Sequence, residues 1–332
     1  MSLDSAVRTQ QRIRIDEPGG PDHLQLVTEE ITTPGPGQVL VKVAAAGVNF
    51  IETYQRSGVY TVPLPFHPGG EFAGVVQEVG PGVTTLAVGD VVATSDATGT
   101  YSEYVTTEAD VLVRVPAGVD PVTAAAVPLQ GFTAHYLTHD TYAVKPGDVV
   151  LTTAGAGGVG MILTQMLNSL GATVITIVSG GPDGEKARRA AAAGADHVLD
   201  YADVPERVRE LTDGRGVDVV YDGVGKDTFE ASLASLRRRG TLVLFGGASG
   251  QVPPFDLQRL NAGGSLFVTR PSLKDYMVTA EERDRRAAEV FGAVADGSLT
   301  ITVGASYPLA QAAEAHRALE SRSTVGKVLL VP

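Results

Sequence analysis

The chain has no cysteine among its 332 residues, carries 26 basic against 38 acidic side chains, and holds six histidines. Each shortage excludes something. Without cysteine there is no disulfide, no thiolate-bound zinc and no thiol nucleophile, and the chain is compatible with a reducing cytoplasm. None of the histidines falls in an HExxH-type pair, so no metal site is expected. A formal net charge of −12 disfavours nucleic-acid binding, which relies on clustered Lys and Arg to displace counterions. No apolar run approaches the ~20 residues that span a bilayer, and the N-terminus lacks a basic region followed by an apolar stretch. The expectation is a soluble, cytoplasmic protein without thiol chemistry.

What is present points to two domains. An apolar content of 43% over this length supports a large core and exceeds one typical domain. From Ile13 to about Val115, short β-rich runs such as Gln38-Val39-Leu40-Val41-Lys42-Val43 and Gly74-Val75-Val76-Gln77-Glu78-Val79 alternate with Gly/Pro turns. This predicts a compact antiparallel or barrel-like domain. Beyond Lys145-Pro146-Gly147-Asp148 the pattern changes to strands alternating with helices. Val149 to Thr153, Thr173 to Val178, His197 to Leu199, Val217 to Tyr221 and Thr241 to Phe245 read as strands. Met161 to Leu170 and Glu185 to Ala193 read as helices between them. The alternation predicts an α/β fold with a doubly wound parallel sheet. The charged run Ala280 to Ala295 and a strand at Val328 to Val331 fit a return to the first domain. The expected boundaries are 1–124 with 270–332 for the β-rich domain and 125–269 for the Rossmann domain.

The clearest motif follows the first of those parallel strands. Gly155, Gly157 and Gly160 satisfy GxGxxG, with a strand before and a helix after. The first glycine is read as permitting the tight turn, the second as letting backbone approach a pyrophosphate, the third as allowing close helix packing. The amides of Gly158, Val159 and Gly160 then face the phosphates. An Asp or Glu about 20 residues on would bind a ribose 2′-hydroxyl, but here Ile177-Val178 is followed by Ser179-Gly180-Gly181. A 2′-phosphate is therefore not repelled there, and Ser179, Lys186 and Tyr201 can supply hydroxyls and a cation. NADPH is the expected cofactor, although Asp183 and Glu185 share the loop and Lys186 also reads as a solvated helix residue.

The segments Gly47-Val48-Asn49-Phe50-Ile51-Glu52-Thr53-Tyr54, Ser57-Gly58-Val59-Tyr60 and His67-Pro68-Gly69-Gly70-Glu71-Phe72-Ala73-Gly74 together resemble the medium-chain dehydrogenase/reductase superfamily. Within it the likeness is to the zinc-free quinone oxidoreductase branch that includes zeta-crystallin. It continues through Tyr221-Asp222-Gly223-Val224-Gly225, Gly264-Ser265-Leu266-Phe267-Val268-Thr269-Arg270-Pro271 and Glu320-Ser321-Arg322. The resemblance implies a GroES-like β-rich catalytic domain beside the Rossmann domain, and a homodimer, read here through a sheet edge near Thr241 to Phe245. In zinc-bearing relatives a Cys lies where Asn49 stands and a His where Gly70 stands, so both ligands are missing, and His67 reads as loop packing.

The resemblance also implies contacts with cofactor or acceptor. Asn49, Tyr54 and Tyr60 are expected at the acceptor, orienting and polarising it through an amide and two phenols. A turn role for Asn49 and simple packing roles for the tyrosines are the alternatives. Tyr136, Gly223, Phe245, Gly246, Phe267, Thr269 and Arg322 are implied at the cofactor, with Gly223 departing from a Ser found in some relatives. The leading function is NADPH-dependent, zinc-independent reduction of a quinone or conjugated carbonyl. Reduction of an enone or enoyl carbon–carbon double bond is the alternative, and an NADPH-binding protein with an RNA-binding or structural role is a third reading.

Overall fold

The computed structural model describes residues 7–181, 183–321 and 324–332. Contacts divide the chain into two units, Met1–Leu129 with Arg283–Pro332, and Gln130–Glu282. The first unit opens with β1 (Thr9–Arg14) and β2 (Gln25–Glu30), an antiparallel pair. There follow β3 (Gln38–Val48), α1 (Phe50–Ser57), β4 (Phe72–Val79), β5 (Val91–Thr94), β6 (Tyr104–Glu108), β7 (Val113–Arg114) and α2 (Pro121–Ala124). Asp120 starts α2 by accepting from the amides of Val122 and Thr123, each at 3.0 Å, ahead of Pro121 at the first helical position, where its missing N–H costs nothing.

The second unit contains most of α3 (Pro128–Tyr136), then β8 (Val149–Thr152), α4 (Gly158–Ser169), β9 (Thr173–Ile177), α5 (Glu185–Ala192) and β10 (His197–Leu199). It continues with α6 (Val204–Leu211), β11 (Val217–Asp222), α7 (Phe229–Ser235), β12 (Leu236–Leu244), α8 (Gln258–Ala262) and β13 (Phe267–Thr269). α9 (Ala280–Ala295) leads back to the first unit, which closes with β14 (Val303–Pro308), α10 (Ala312–Glu320) and β15 (Lys327–Val331). No helix among the described residues is long and apolar enough to cross a membrane.

In the first unit the strand order is β14-β15-β3-β4-β5-β7, with β6 also pairing β3. β15 and β14 are parallel, and the remaining pairs are antiparallel. Val39, Val41 and Val43 of β3 share one core with Phe72, Val76, Val92, Val328 and Leu330. Each such side chain contributes roughly 1.5–3 kcal/mol of apolar burial.

The second unit is a six-stranded sheet ordered β10-β9-β8-β11-β12-β13, parallel throughout. Its strands are covered on both faces: every residue of β11 is buried, Asp218 and Asp222 towards its ends included. The order reverses between β8 and β11, the place where open parallel sheets bind ligands beyond their strand C-termini.

One expectation is corrected here. Thr241 to Phe245 does not form the sheet edge, because β12 lies between β11 and β13. The outer strand on that side is β13, where Phe267 and Val268 are 61% and 37% exposed. A run of apolar residues looks the same in an inner or an outer strand, and only the crossover order decides which it is.

Candidate active site

At the end of β8 the chain turns through the glycine segment into α4. Gly155 is needed because a Cβ there would lie 1.9 Å from Thr176 Oγ1 on β9, and Gly160 because a Cβ would lie 2.4 Å from the Ala154 carbonyl oxygen. The turn itself works differently from the sequence expectation. Its left-handed residue is Ala154, at φ +53°, while Gly155 answers crowding from the neighbouring strand. Gly157 precedes α4 without supplying any side-chain cap. The amides of Gly158, Val159 and Gly160 thus open a 12-residue helix, and Gly157, Gly158 and Val159 are half-buried. This cradle fits a dinucleotide pyrophosphate: uncapped donors, positive helix end, and no Cβ on Gly157 to hold an anion away.

Of the three residues expected at a 2′-phosphate, two meet. Lys186, in the first turn of α5, donates to Ser179 Oγ at 3.0 Å, and Val178 is tied to Leu199 of β10 by a 2.9 Å backbone bond. Tyr201 follows on the next loop, exposed. The carboxylate of Glu185 is turned to Arg189 and Arg188, at 2.8 and 2.9 Å, and those guanidiniums hold its carboxyl below the usual range. Of the two acids that complicated the sequence reading, Glu185 is thereby paired within its own helix.

Along the same rim, Gly223, Phe245 and Gly246 interlock. A Cβ on Gly223 would meet the Phe245 ring at 2.8 Å, and one on Gly246 would meet Gly223 O at 2.2 Å. The Phe245 ring therefore stands where a serine side chain would begin, which accounts for glycine at 223. Asp222, fully buried, organises this loop and was not singled out from the sequence. Its carboxylate accepts from the amides of Val224 and Gly225 and from the hydroxyls of Thr153, Thr228 and Ser232, at 2.7 to 3.1 Å. Thr153 Oγ1 in turn accepts from Gly223 N at 2.9 Å. Thr269 lies at the C-terminal end of β13, and Phe267 at its opposite end, paired with Thr241. Tyr136 is buried and stacked on Tyr276, with ring centroids 4.5 Å apart. Arg322 falls outside the described residues.

In the first unit, strand register assembles a polar cluster. β15 pairs with β3 so that Val328 faces Val48, and one step further Lys327 comes opposite Asn49. Lys327 Nζ donates to Asn49 Oδ1 at 2.7 Å and to Glu71 Oε2. Asn49 Nδ2 donates to Glu71 Oε2 at 3.0 Å, and Glu71 Oε1 accepts from Leu129 N at 2.7 Å. Glu52 Oε2 accepts from Asn49 N at 2.8 Å, fixing the start of α1. All four side chains are at most 5% exposed. Burial pushes the Glu52 carboxyl up to about 7, against the opposing pull of Lys327. Sequence reading missed Lys327 and Glu52; a lysine set into the apolar run Val325 to Leu330 was the available signal.

The remaining acceptor candidates lie on and after α1. Tyr54 is half-buried and meets exposed Tyr60 edge-on, 5.5 Å between centroids. The buried face of the helix is anchored through Arg56, whose guanidinium donates to both oxygens of Glu320, to Gly19 O and to His316 Nδ1. Burial, with Arg56 beside it, depresses the His316 imidazole to about 3. Because arginine only donates, Nδ1 accepts and the ring proton sits on Nε2, facing Tyr101 OH at 3.2 Å. His67 Nδ1 contacts Ile13 O at 2.9 Å, and its Nε2 is 3.4 Å from Glu29, so it is committed to the β1–β2 region.

Comparison with known proteins places these features in a family. Residues 35–117 match the alcohol dehydrogenase GroES-like domain, and residues 193–330 match the family described as zinc-binding dehydrogenase. A quinone oxidoreductase of Salmonella typhimurium is 45% identical over 97% of this chain and 99% of its own. A 2-haloacrylate reductase of a Burkholderia species is 44% identical over 96% and 98%. The solved structure of mycobacterial Rv1454c complexed with NADPH is 52% identical, covering 97% of this chain and all of that one, with a TM-score of 0.93.

Around Asn49 the zinc in that second description finds no matching donor set among the described residues. The chain has no cysteine, Asn49 and Gly70 stand at the two ligand positions, and an ammonium is already hydrogen-bonded to Asn49 and Glu71. A divalent cation would have to displace a like charge and bind without thiolate or imidazole.

Proposed function

This chain belongs to the quinone oxidoreductase branch of the medium-chain dehydrogenase/reductase superfamily, and from that premise we propose that it reduces quinones and other conjugated carbonyls with NADPH, without zinc. NADPH, when bound, supplies the hydride. The glycine turn and the α4 amides hold its pyrophosphate, and Ser179 and Lys186 take the 2′-phosphate. Asn49, Tyr54 and Tyr60 orient the acceptor and donate to the oxygen on which negative charge develops. Water supplies the proton that completes the hydroquinone, so no dedicated acid is assigned.

The observation that carries this reading is the 3.0 Å contact of Lys186 with Ser179 beyond β9, a hydroxyl and a cation where an NAD-selective protein places a carboxylate. The test is to follow NADPH and NADH oxidation in parallel with 1,4-benzoquinone, 9,10-phenanthrenequinone and a small enone. Chelator-resistant quinone turnover that prefers NADPH is expected, with the preference falling about tenfold in Lys186→Ala, as loss of one charge-assisted bond implies. Equal use of both cofactors, or inactivation by chelator, refutes it.

The 2-haloacrylate reductase at 44% identity supports a second reading. An alkene conjugated to a carbonyl or carboxylate needs the same stabilisation of oxygen charge, and preference for the enone in that assay would select it. The reading includes a homodimer formed through β13, whose apolar Phe267 and Val268 form an unpaired edge. Light scattering at micromolar concentration should show a dimer that Phe267→Lys dissociates, whereas a monomeric wild type rules the dimer out. Action in the cytoplasm is part of the same reading, resting on the likeness to bacterial quinone oxidoreductases, and cell fractionation tests it.

A further inference from the structure

We infer that Lys327 is a positioning residue for acceptor reduction: its ammonium is the resident cation of the acceptor site, orienting and polarising the Asn49 amide. The inference deepens the reading above and rests on Asn49 meeting the acceptor.

The geometry allows only one amide orientation. An ammonium donates and cannot accept, so the atom facing Lys327 Nζ at 2.7 Å is Oδ1. A carboxylate accepts and cannot donate, so the atom facing Glu71 Oε2 at 3.0 Å is Nδ2. Lys327 and Glu71 are themselves paired, which closes a ring of three groups drawn from three adjacent strands or their ends. A flipped amide would set its N–H groups against the ammonium and its carbonyl against the carboxylate, two repulsive contacts in a buried site where screening is weak.

The site is also shaped for this pair. Gly47 sits two residues before Asn49 on β3, and a Cβ there would lie 2.1 Å from Glu71 Oε2 and 2.8 Å from Lys327 Cε. Any other residue at 47 would drive the pair apart. The chemical consequence concerns donor strength. A cation on Oδ1 draws electron density from the amide nitrogen, and its N–H groups become stronger donors, as in other cooperative chains. Nδ2 carries two hydrogens, and donation to Glu71 uses one of them. A metal in related enzymes polarises the acceptor directly; here one positive charge acts through an amide.

Removing Lys327 alone leaves Glu71 and Glu52 buried without a cation, so Lys327→Met is paired with Glu71→Gln, which restores neutrality and keeps an acceptor for Asn49. Lys327→Arg is the conservative comparison. For each variant the measurements are kcat and KM with 1,4-benzoquinone, NADPH affinity by fluorescence, Tm, and the 15N shift of the Asn49 side-chain amide. The expected result for Lys327→Met/Glu71→Gln is near-wild-type Tm and NADPH affinity, a shifted Asn49 resonance, and kcat at least about tenfold lower. That loss is part of the ~10²-fold that follows removal of an entire oxyanion donor. Lys327→Arg should recover part of it. If the double variant reduces benzoquinone within about twofold of wild type, the ion pair is only a structural tie and the inference falls. If wild type reduces no quinone or enone, the functional reading fails separately. The Asn49 resonance then decides: unchanged in the double variant it overturns the inference, displaced it supports it.

Discussion

Glu52→Gln is the substitution whose effect on pH and stability the structure specifies most fully. The Glu52 carboxyl is 1% exposed and accepts from Asn49 N at 2.8 Å. Burial raises it from an ordinary 4.5 to about 7, with Lys327 lowering it and Glu71 raising it further. Between those two values the unfolded chain has released this proton while the native protein still holds it. The native state therefore binds more protons, and stability falls as pH rises. The contribution is fully present below about 4.5 and fully lost above about 7. Raising a carboxyl from 4.5 to about 7 corresponds to about 3 kcal/mol. Glutamine keeps an oxygen for the Asn49 amide and does not titrate. Urea unfolding of wild type and Glu52→Gln at pH 4.5, 6, 7 and 8 should therefore show the variant gaining about 3 kcal/mol relative to wild type across that range. Most of the gain should fall between pH 5 and 7. Parallel stability curves for the two proteins would refute the reasoning, because they would mean that Glu52 is ionised throughout in the native state.

Four further outcomes are expected. His316, held near 3 by burial and by Arg56, should show ring resonances that do not titrate between pH 8 and 5. As pH falls below about 6.5 the unfolded chain takes up a proton that the native state refuses, so this group lowers stability in acid; an inflection near 6.5 in the folded protein would contradict it. Gly160→Ala sets a Cβ 2.4 Å from Ala154 O and 2.8 Å from Gly155 Cα, both backbone, so it should cost about 1–3 kcal/mol and weaken NADPH binding at least about tenfold. Gly292→Ala in α9, with nothing within 4 Å, should instead stabilise by up to about 1 kcal/mol, and denaturant melts compare the two. Asp222→Ala strands three hydroxyls and two amides and should cost about 3 kcal/mol or more. NADPH affinity should fall with it, because the loop carrying Gly223 loses its anchor; a fluorescence titration matching wild type would show that this loop is held otherwise.

The parts of this protein that the sequence alone determined are those whose partners are close in the chain. The GxGxxG turn was legible because its glycines sit within six residues between an apolar strand and a helix, and the alternation after Lys145 was legible from repeated short apolar runs. The lack of cysteine removed thiolate zinc ligands before any coordinates were needed. Even locally there was a limit: the left-handed residue of the turn is Ala154, because Gly155 is required by Thr176 on a strand that the motif does not contain.

Whatever depends on register or on strand order was decided only by the tertiary structure. Apolar patterning marks Thr241 to Phe245 as a strand, but that a further strand, β13, lies outside it and forms the edge follows from the crossover order. Lys327 and Asn49 are 278 residues apart and meet because β15 pairs antiparallel with β3, while Glu71 arrives from β4. The unusual proton affinity of Glu52 arises from the same convergence. Desolvation and the field of Lys327 and Glu71 are properties of an enclosed volume, and no stretch of sequence contains that volume until the sheet has formed.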